Sequence, residues 1–317
     1  MRVLVAGWPS FLHGEATAGD VLAMEAVRAA LAGAGVECDT AWSPVLRPDG
    51  LTLDRADPDR YTHLVFACGP AHGRQVEFLH GRYARCRRIA VGVSVIDPAA
   101  PAVTGFHAVL PRDAPGAGPH RDLAAATPLP SPGPPVVGVV LAPCQGEYGR
   151  WADHGRLDRE LTDWLRARGS ARVPLDTRID PRDWRHPATA AELEAVLRRL
   201  DMVVTTRLHG LVLALRNGVP ALAVDPVGGG AKVAAQARAW DWPAIVTVDG
   251  AQDPCRLDRA ALDRWWGWCL SPDGGRRARA YVPPVPSEPP ASSLLAGLGE
   301  ALGLPSLGSP APRAAEG

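Results

Sequence analysis

Short runs of apolar residues recur along the chain, and segments with helical periodicity separate many of them. Unbroken apolar runs of this length, alternating with helices, are typical of strands buried in a parallel sheet. The runs are RVLVAG (2–7), HLVFACG (63–69), RIAVGVSVI (88–96), VVGVVLAP (136–143), ARVPL (171–175), MVVTT (202–206), PALAVD (220–225) and PAIVTVD (243–249). The pattern predicts an α/β chain with doubly wound sheets.

A proline-rich segment, TPLPSPGPP (127–135), divides these runs into two groups. Proline at this density excludes a helix or strand interior, so we interpret the segment as a linker. The sequence then predicts two Rossmann-like domains, 1–126 and 136–282, with parallel sheets that face a central cleft. The remaining segment, 283–317, is rich in Pro, Gly and Ser and is predicted to be mostly disordered, apart from one weak docking helix within SSLLAGLGEALGL.

Composition excludes several classes of protein. Thirty-four basic groups balance 34 acidic ones, for a net charge of zero, whereas a nucleic-acid binder needs a basic excess. No run is long enough for a signal peptide or a membrane span. The six cysteines are scattered without a C-x-x-C pair, which favours reduced thiols over disulfides or a metal site. We therefore expect a cytoplasmic protein without a metal; its oligomeric state is left open.

The segment DMVVTTRLHG (201–210) brings charge to the end of a buried strand. We expect the strand to end at Thr205 and Thr206 to cap the next helix, so that Arg207 and His209 lie in its first turn. Ligands of open α/β sheets bind at this carboxyl edge, and a helix N-terminus attracts anions. Arg207 adds a bidentate donor for carboxylate or phosphate. The alternative is that Arg207 pairs with a nearby aspartate.

His209 has two interpretations. The positive end of the helix opposes protonation of the imidazole, whereas a bound phosphate or carboxylate favours it. We hypothesise an acid that becomes protonated when an anionic substrate binds. The alternative is a structural histidine whose hydrogen bonds are satisfied within the protein.

Lys232 is the only lysine in a chain with 33 arginines. It follows the glycine run in VDPVGGGAK, at the same edge of the sheet as Arg207. Gly229 and Gly230 would let the backbone approach a ligand closely, and a compact ammonium suits a phosphate oxygen. The spacing is not that of a Walker A loop. The alternative is an exposed lysine without a function.

These residues carry a resemblance to a known family. The segment TTRLHGLVLALRNGVPALAVD, with a lysine shortly after it, resembles the signature of the polysaccharide pyruvyl transferases. The resemblance extends over about 1–250: Gly19 and Asp20 open a helix after the first glycine-bearing loop, and Arg112 with Asp113 resembles the family's R-D element.

The resemblance implies a GT-B-like fold and a reaction. Family members transfer the enolpyruvyl group of phosphoenolpyruvate to two hydroxyls of a sugar, which gives a ketal. At the matching positions His209 would be the catalytic acid, while Arg207 and Lys232 would hold the donor's carboxylate and phosphate. Phosphoenolpyruvate would be a co-substrate, with no other cofactor. The partners would be this small donor and a saccharide acceptor.

Further candidates lie in loops of the first domain. His13 follows the first strand and His72 follows the strand at 63–69, where either could contact the acceptor; an ordinary polar loop is the alternative in both cases. Trp268 lies off the apolar stripe of its helix and is a candidate for stacking on a sugar.

Two other functions remain open. One is a GT-B glycosyltransferase that uses a nucleotide-sugar, with Arg207 and Lys232 on the diphosphate. The other is a catalytically silent protein that binds a glycan or a phosphate.

Overall fold

The chain forms two compact α/β units. The computed structural model describes residues 1–13, 15–141, 154–227, 230–248, 257–282 and 293–304. The N-terminal unit comprises Met1–Ser131 and the C-terminal unit Pro132–Gly317. Each contains one five-stranded sheet whose strands are all parallel. The predicted α/β class with two Rossmann-like sheets is confirmed.

The N-terminal unit has its five strands in the order β2-β1-β3-β4-β5. Its strands are β1 (Arg2–Ala6), β2 (Glu37–Thr40), β3 (His63–Ala67), β4 (Arg87–Ser94) and β5 (Ala108–Asp113). Its described α-helices are α1 (Ala18–Gly33), α2 (Arg74–Arg82) and α3 (Pro101–Thr104). Apolar clusters lie on both faces of the sheet, because helices cover each face.

The C-terminal unit repeats this topology, in the order β10-β9-β8-β6-β7. Its strands are β6 (Val136–Val140), β7 (Ala171–Pro174), β8 (Met202–Thr205), β9 (Ala221–Asp225) and β10 (Ile245–Thr247). Its described helices are α4 (His154–Arg166), α5 (Ala190–Leu197), α6 (Leu208–Arg216), α7 (Lys232–Ala239), α8 (Arg259–Cys269), α9 (Pro272–Arg279) and α10 (Ser293–Leu302). Every residue of β8 and β9 is buried.

The strand order defines where a ligand is expected. In each unit the second strand lies on one side of the first and the third strand lies on the other. The topological switch points are therefore between β1 and β3 and between β6 and β8. Open α/β sheets bind ligands outside the carboxyl ends of the strands at such points.

Helix α1 begins earlier than the sequence suggests. Thr17 is the N-cap, and the helix starts at Ala18, one residue before Gly19. The Thr17 hydroxyl accepts the backbone N–H of Asp20 at 3.2 Å, while the Asp20 carboxylate accepts the backbone N–H of Thr17 at 2.9 Å. This reciprocal pair is a capping box, which satisfies two backbone donors that the helix leaves unpaired.

Trp268, the candidate for stacking on a sugar, packs against other aromatic rings of the C-terminal unit. Its ring lies edge-on to Trp242, with centroids 5.1 Å apart, and 5.7 Å from Trp265. The indole is half-buried against the core of the C-terminal unit.

No described helix is both long and apolar enough to cross a membrane.

His80 joins α2 to α3 through a half-buried ring. Its Nε2–H donates to the carbonyl of Ala102 at 3.0 Å, and the ring stands edge-on to Phe106, with centroids 4.5 Å apart. No described residue bonds the buried Nδ1. Burial lowers the pKa of His80 from its ordinary value of 6.5, because a charged imidazole would lose its water.

This lowered pKa predicts a loss of stability in mild acid. The unfolded chain takes up a proton on His80 before the folded chain does, so the free energy of unfolding should fall as pH drops below about 6.5 and stop falling below the folded-state pKa. His80→Gln keeps an N–H for Ala102 but does not titrate. Urea unfolding at about pH 7.5 and 5.5 should show a smaller loss for this variant than for the wild type; equal losses would contradict the assignment.

Candidate active site at the carboxyl ends of β6 and β8

Thr205 connects the two strands at the switch point of the C-terminal unit. Its hydroxyl donates to the carbonyl of Val140, the last residue of β6, at 2.9 Å. The same oxygen accepts the backbone N–H of Arg207 at 2.9 Å. The prediction that Thr206 caps α6 is wrong: Arg207 is the N-cap residue, and the buried Thr205 bonds its N–H.

Gly210 allows α6 to lie directly on the end of β8. A Cβ at this position would lie 2.1 Å from the Thr205 hydroxyl oxygen and 2.9 Å from the Thr205 Cβ. No side chain fits that space without displacing the helix. The glycine of R-L-H-G is therefore required by packing, and it fixes where the first turn of α6 presents Arg207 and His209.

Arg207 reaches from α6 to the residues that follow β7. Its Nη1 donates to the carboxylate of Asp176 and, at 2.8 Å, to the hydroxyl of Thr177. The aspartate pairing considered from the sequence is thus present, and the side chain is only 19% exposed. Among the described residues, no group bonds Nε or Nη2. These two donors form one edge of the guanidinium, and they have the geometry to hold a carboxylate in a bidentate manner.

His209 is the second residue of α6 and is exposed. It makes no hydrogen bond or ion pair with any residue that the structure describes. The structural alternative, in which partners satisfy the imidazole, therefore finds no support in these contacts. The ring is available to a ligand in the same helical turn as Arg207.

Lys232 begins α7, and the chain's own Asp225 occupies the amino end of that helix. Asp225 is fully buried at the end of β9. Its carboxylate accepts the backbone N–H groups of Val227 at 3.0 Å, Ala231 at 2.7 Å and Ala234 at 2.8 Å. These donors would otherwise attract an anion. Any phosphate near α7 would therefore depend on the half-buried Lys232 side chain rather than on the helix end.

The predicted site includes two glycines of the run before Lys232. Gly229 lies outside the described residues. Gly230 has φ of +83°, a conformation that favours glycine, and its N–H donates to the carbonyl of Val227 at 2.8 Å. Its glycine character is explained by this backbone conformation.

Arg112 is held by other residues of the N-terminal unit. Its Nε donates to Asp113 at 2.8 Å, Nη1 to Asp122 at 2.6 Å and Nη2 to the Ser94 hydroxyl at 2.6 Å. The Arg112 hydrogen bond lowers the pKa of Asp113, and the backbone N–H of Ala124 is the main cause of the lowered pKa of Asp122. Because all three guanidinium nitrogens are bonded, Arg112 links Ser94, Asp113 and Asp122 within the N-terminal unit.

The other N-terminal candidates differ in their contacts. Asp20 takes part in the capping box of α1, and Gly19 lies in the first turn of that helix. His72 is exposed and makes no side-chain hydrogen bond within the described part of the chain. His13 lines a cavity of about 380 Å³.

The sequence does not reveal the residues that hold the loop after β7. Arg178 donates to Nε2 of His186 at 3.0 Å, and Nδ1 of His186 then donates to Asp183 at 3.1 Å. Asp176, the partner of Arg207, also accepts the backbone N–H of Arg178 at 2.9 Å. The available signal is position: Asp176 closely follows a strand at the carboxyl edge of the sheet. No described group of three His, Cys, Asp or Glu side chains is arranged to hold a metal.

Comparisons with solved structures give only distant similarity. The spinosyn rhamnosyltransferase SpnG, complexed with spinosyn aglycone, is 15% identical, with 89% of this chain and 95% of that chain covered and a TM-score of 0.32. UDP-GlcNAc 2-epimerase from Methanocaldococcus jannaschii is 8% identical. The match covers 88% of this chain and 98% of that chain, with a TM-score of 0.30. The E. coli heptosyltransferase WaaC with ADP is 15% identical. The match covers 88% of this chain and 100% of that chain, with a TM-score of 0.28. At these TM-scores the similarities carry no argument about this chain.

Comparisons of sequence are more specific. No curated protein sequence matches the chain. A model of the polysaccharide pyruvyl transferase family matches residues 164–226, a segment that includes β7, β8, β9 and α6 and ends before Lys232. The resemblance predicted from the R-L-H-G segment is therefore confirmed over 164–226, where this chain, with Arg207 and His209, matches the polysaccharide pyruvyl transferases.

Proposed function

We propose that the chain is a transferase that moves the pyruvyl group of phosphoenolpyruvate onto two hydroxyls of a sugar in a glycan or glycan precursor. The observation that carries this proposal is the pair at the start of α6. Arg207 keeps one guanidinium edge unbonded by described residues, and His209 is exposed one helical turn or less from it. The family match over the same segment supports a transferase.

Phosphoenolpyruvate carries a carboxylate and a phosphate, and the proposed site offers one cation for each, Arg207 and Lys232. The unbonded edge of Arg207 suits the planar carboxylate, because Nε–H and Nη2–H match its two oxygens. Asp176 and Thr177 hold the other side of the guanidinium, so little side-chain freedom is lost when the donor binds. The ammonium of Lys232 suits the phosphate as a compact charge.

His209 supplies the proton that starts the reaction. The imidazolium donates it to the methylene carbon of the donor, which leaves an oxocarbenium-like centre at C2. A sugar hydroxyl adds to C2 and passes its proton to the now neutral His209, and the bond from C2 to the phosphate oxygen then breaks, with its electron pair leaving on the phosphate. A second hydroxyl closes the ketal and loses its proton, which leaves with phosphate.

Replacement of His209 should affect turnover much more than donor binding. General acid catalysis contributes about 10²- to 10⁴-fold, so His209→Gln should lower kcat for phosphate release from phosphoenolpyruvate by that order, measured against a panel of glycosides that carry neighbouring hydroxyls. Stabilisation by phosphoenolpyruvate should persist in the variant. The exposed His120 provides a control, because His120→Gln should leave kcat unchanged. A kcat within about twofold of the wild type for His209→Gln would contradict the role.

Replacement of Lys232 by arginine tests why this one cation is a lysine. The guanidinium keeps the charge but is planar and wider, so it should not reproduce the contact of a compact ammonium with phosphate. We expect Lys232→Arg to lower kcat/KM for phosphoenolpyruvate at least about tenfold, with little change in Tm in the absence of ligand. Nearly normal kcat/KM in this variant would show that charge alone suffices.

A further inference from the structure

A cavity of about 380 Å³ lies at the switch point of the N-terminal unit. Its walls come from the loop after β1, the loop after β2 and the first turns of α2, which follows β3. This is the place in the sheet order where a Rossmann-like unit binds its ligand. The volume is within the range of small-molecule sites.

Five of the eleven side chains that line the cavity are apolar: Phe11, Leu12, Pro44, Leu53 and Phe78. Phe11 and Leu53 are buried and belong to the core of the unit. Leu12 and Phe78 line the cavity but remain 56% and 54% exposed. Two large apolar side chains that stay exposed beside the cavity leave surface that a ligand can cover. A site built only for sugar hydroxyls would not need them.

Six polar side chains line the same cavity: Ser10, His13, Thr52, Asp54, Arg74 and Gln75. His13 and Arg74 are both exposed, and neither makes a hydrogen bond or an ion pair with a described residue. His13 follows β1 and Arg74 opens α2, so both are anchored at the carboxyl edge of the sheet. With Asp54, Thr52 and Gln75 beside them, a ligand that fits this lining has an apolar group next to a hydroxyl-rich head.

We propose that this cavity binds the apolar aglycone of a glycoside, and that Arg74 and His13 contact the sugar or the linking group next to it. This assignment rests on the proposed function only in naming that glycoside as the acceptor. The apolar group is aliphatic or aromatic, and the lining suits either, because Phe78 and Phe11 offer ring faces while Leu12 and Leu53 offer aliphatic contacts.

Calorimetric titration with three glycosides of one sugar tests the assignment on the full chain. Octyl and phenyl β-D-glucopyranoside share the sugar of methyl β-D-glucopyranoside and differ only in the apolar group; the octyl compound is kept below its micellar concentration. Burial of two methylenes is enough for about a tenfold change in Kd. We expect the octyl compound, the phenyl compound or both to bind at least about tenfold more tightly than the methyl compound. Equal affinity for all three, or no binding of the two apolar ones, would overturn the proposal.

Variants at the exposed apolar positions provide the matched comparison. The double variant Leu12→Ser with Phe78→Ser should lose the preference for the apolar glycosides, and its Tm should show that it folds. Leu110 is 58% exposed on β5 and does not line the cavity, so Leu110→Ser should keep the preference. If the double variant keeps the preference as well, the cavity does not bind the aglycone. If it instead converts a dimer to a monomer in sedimentation, these side chains form a contact between copies, which also overturns the proposal.

Failure here can be told apart from failure of the proposed function. If phosphoenolpyruvate neither stabilises the chain nor releases phosphate, but the preference for apolar glycosides holds, the reaction is wrong and the cavity assignment stands. If phosphate release occurs with equal affinity for the three glycosides, the reaction stands and the cavity assignment falls.

Discussion

The hydroxyl of Thr205 is the contact on which the candidate site depends. It bonds the carbonyl that ends β6 and the N–H that begins the turn into α6, so one buried oxygen sets both the spacing of two strands and the direction of a helix. Gly210 completes the arrangement, because any side chain there would meet that hydroxyl. The geometry of Arg207 and His209 therefore follows from the packing of a threonine and a glycine that never touch a substrate in the proposed reaction.

The two units share one sheet topology but present different side chains at their switch points. Both sheets reverse their strand order between the first and third strands, and each presents candidate ligand-binding residues at that point. In the C-terminal unit these are charged, and Asp176 orients Arg207 while Asp225 neutralises the amino end of α7. In the N-terminal unit five apolar side chains line the cavity together with six polar ones. This difference fits an anionic donor in one unit and an acceptor with an apolar group in the other.

Central strands and local motifs could be predicted from the sequence. β8 and β9 are buried on both faces and so appear as unbroken apolar runs. The edge strands β2 and β5 carry polar residues and lack such runs, so the pattern does not reveal them. Arg207 and His209 are visible because their motif is contiguous, whereas the bond from Arg207 to Asp176 joins residues 31 positions apart. Arg112 shows the same limit, since its carboxylate and hydroxyl partners come from different segments of the fold.

Binding of phosphoenolpyruvate at Arg207 is the central claim, and thermal unfolding tests it most directly. A ligand that binds only the folded state adds about 2.7 kcal/mol of stability at 100 times its Kd. We predict that saturating phosphoenolpyruvate raises the Tm of the wild type and not that of Arg207→Gln. Arg216, on the same helix and paired with Glu194, supplies the control, so Arg216→Gln should keep the rise. An equal rise in wild type and Arg207→Gln, or a rise with a nucleotide-sugar but none with phosphoenolpyruvate, would contradict the account.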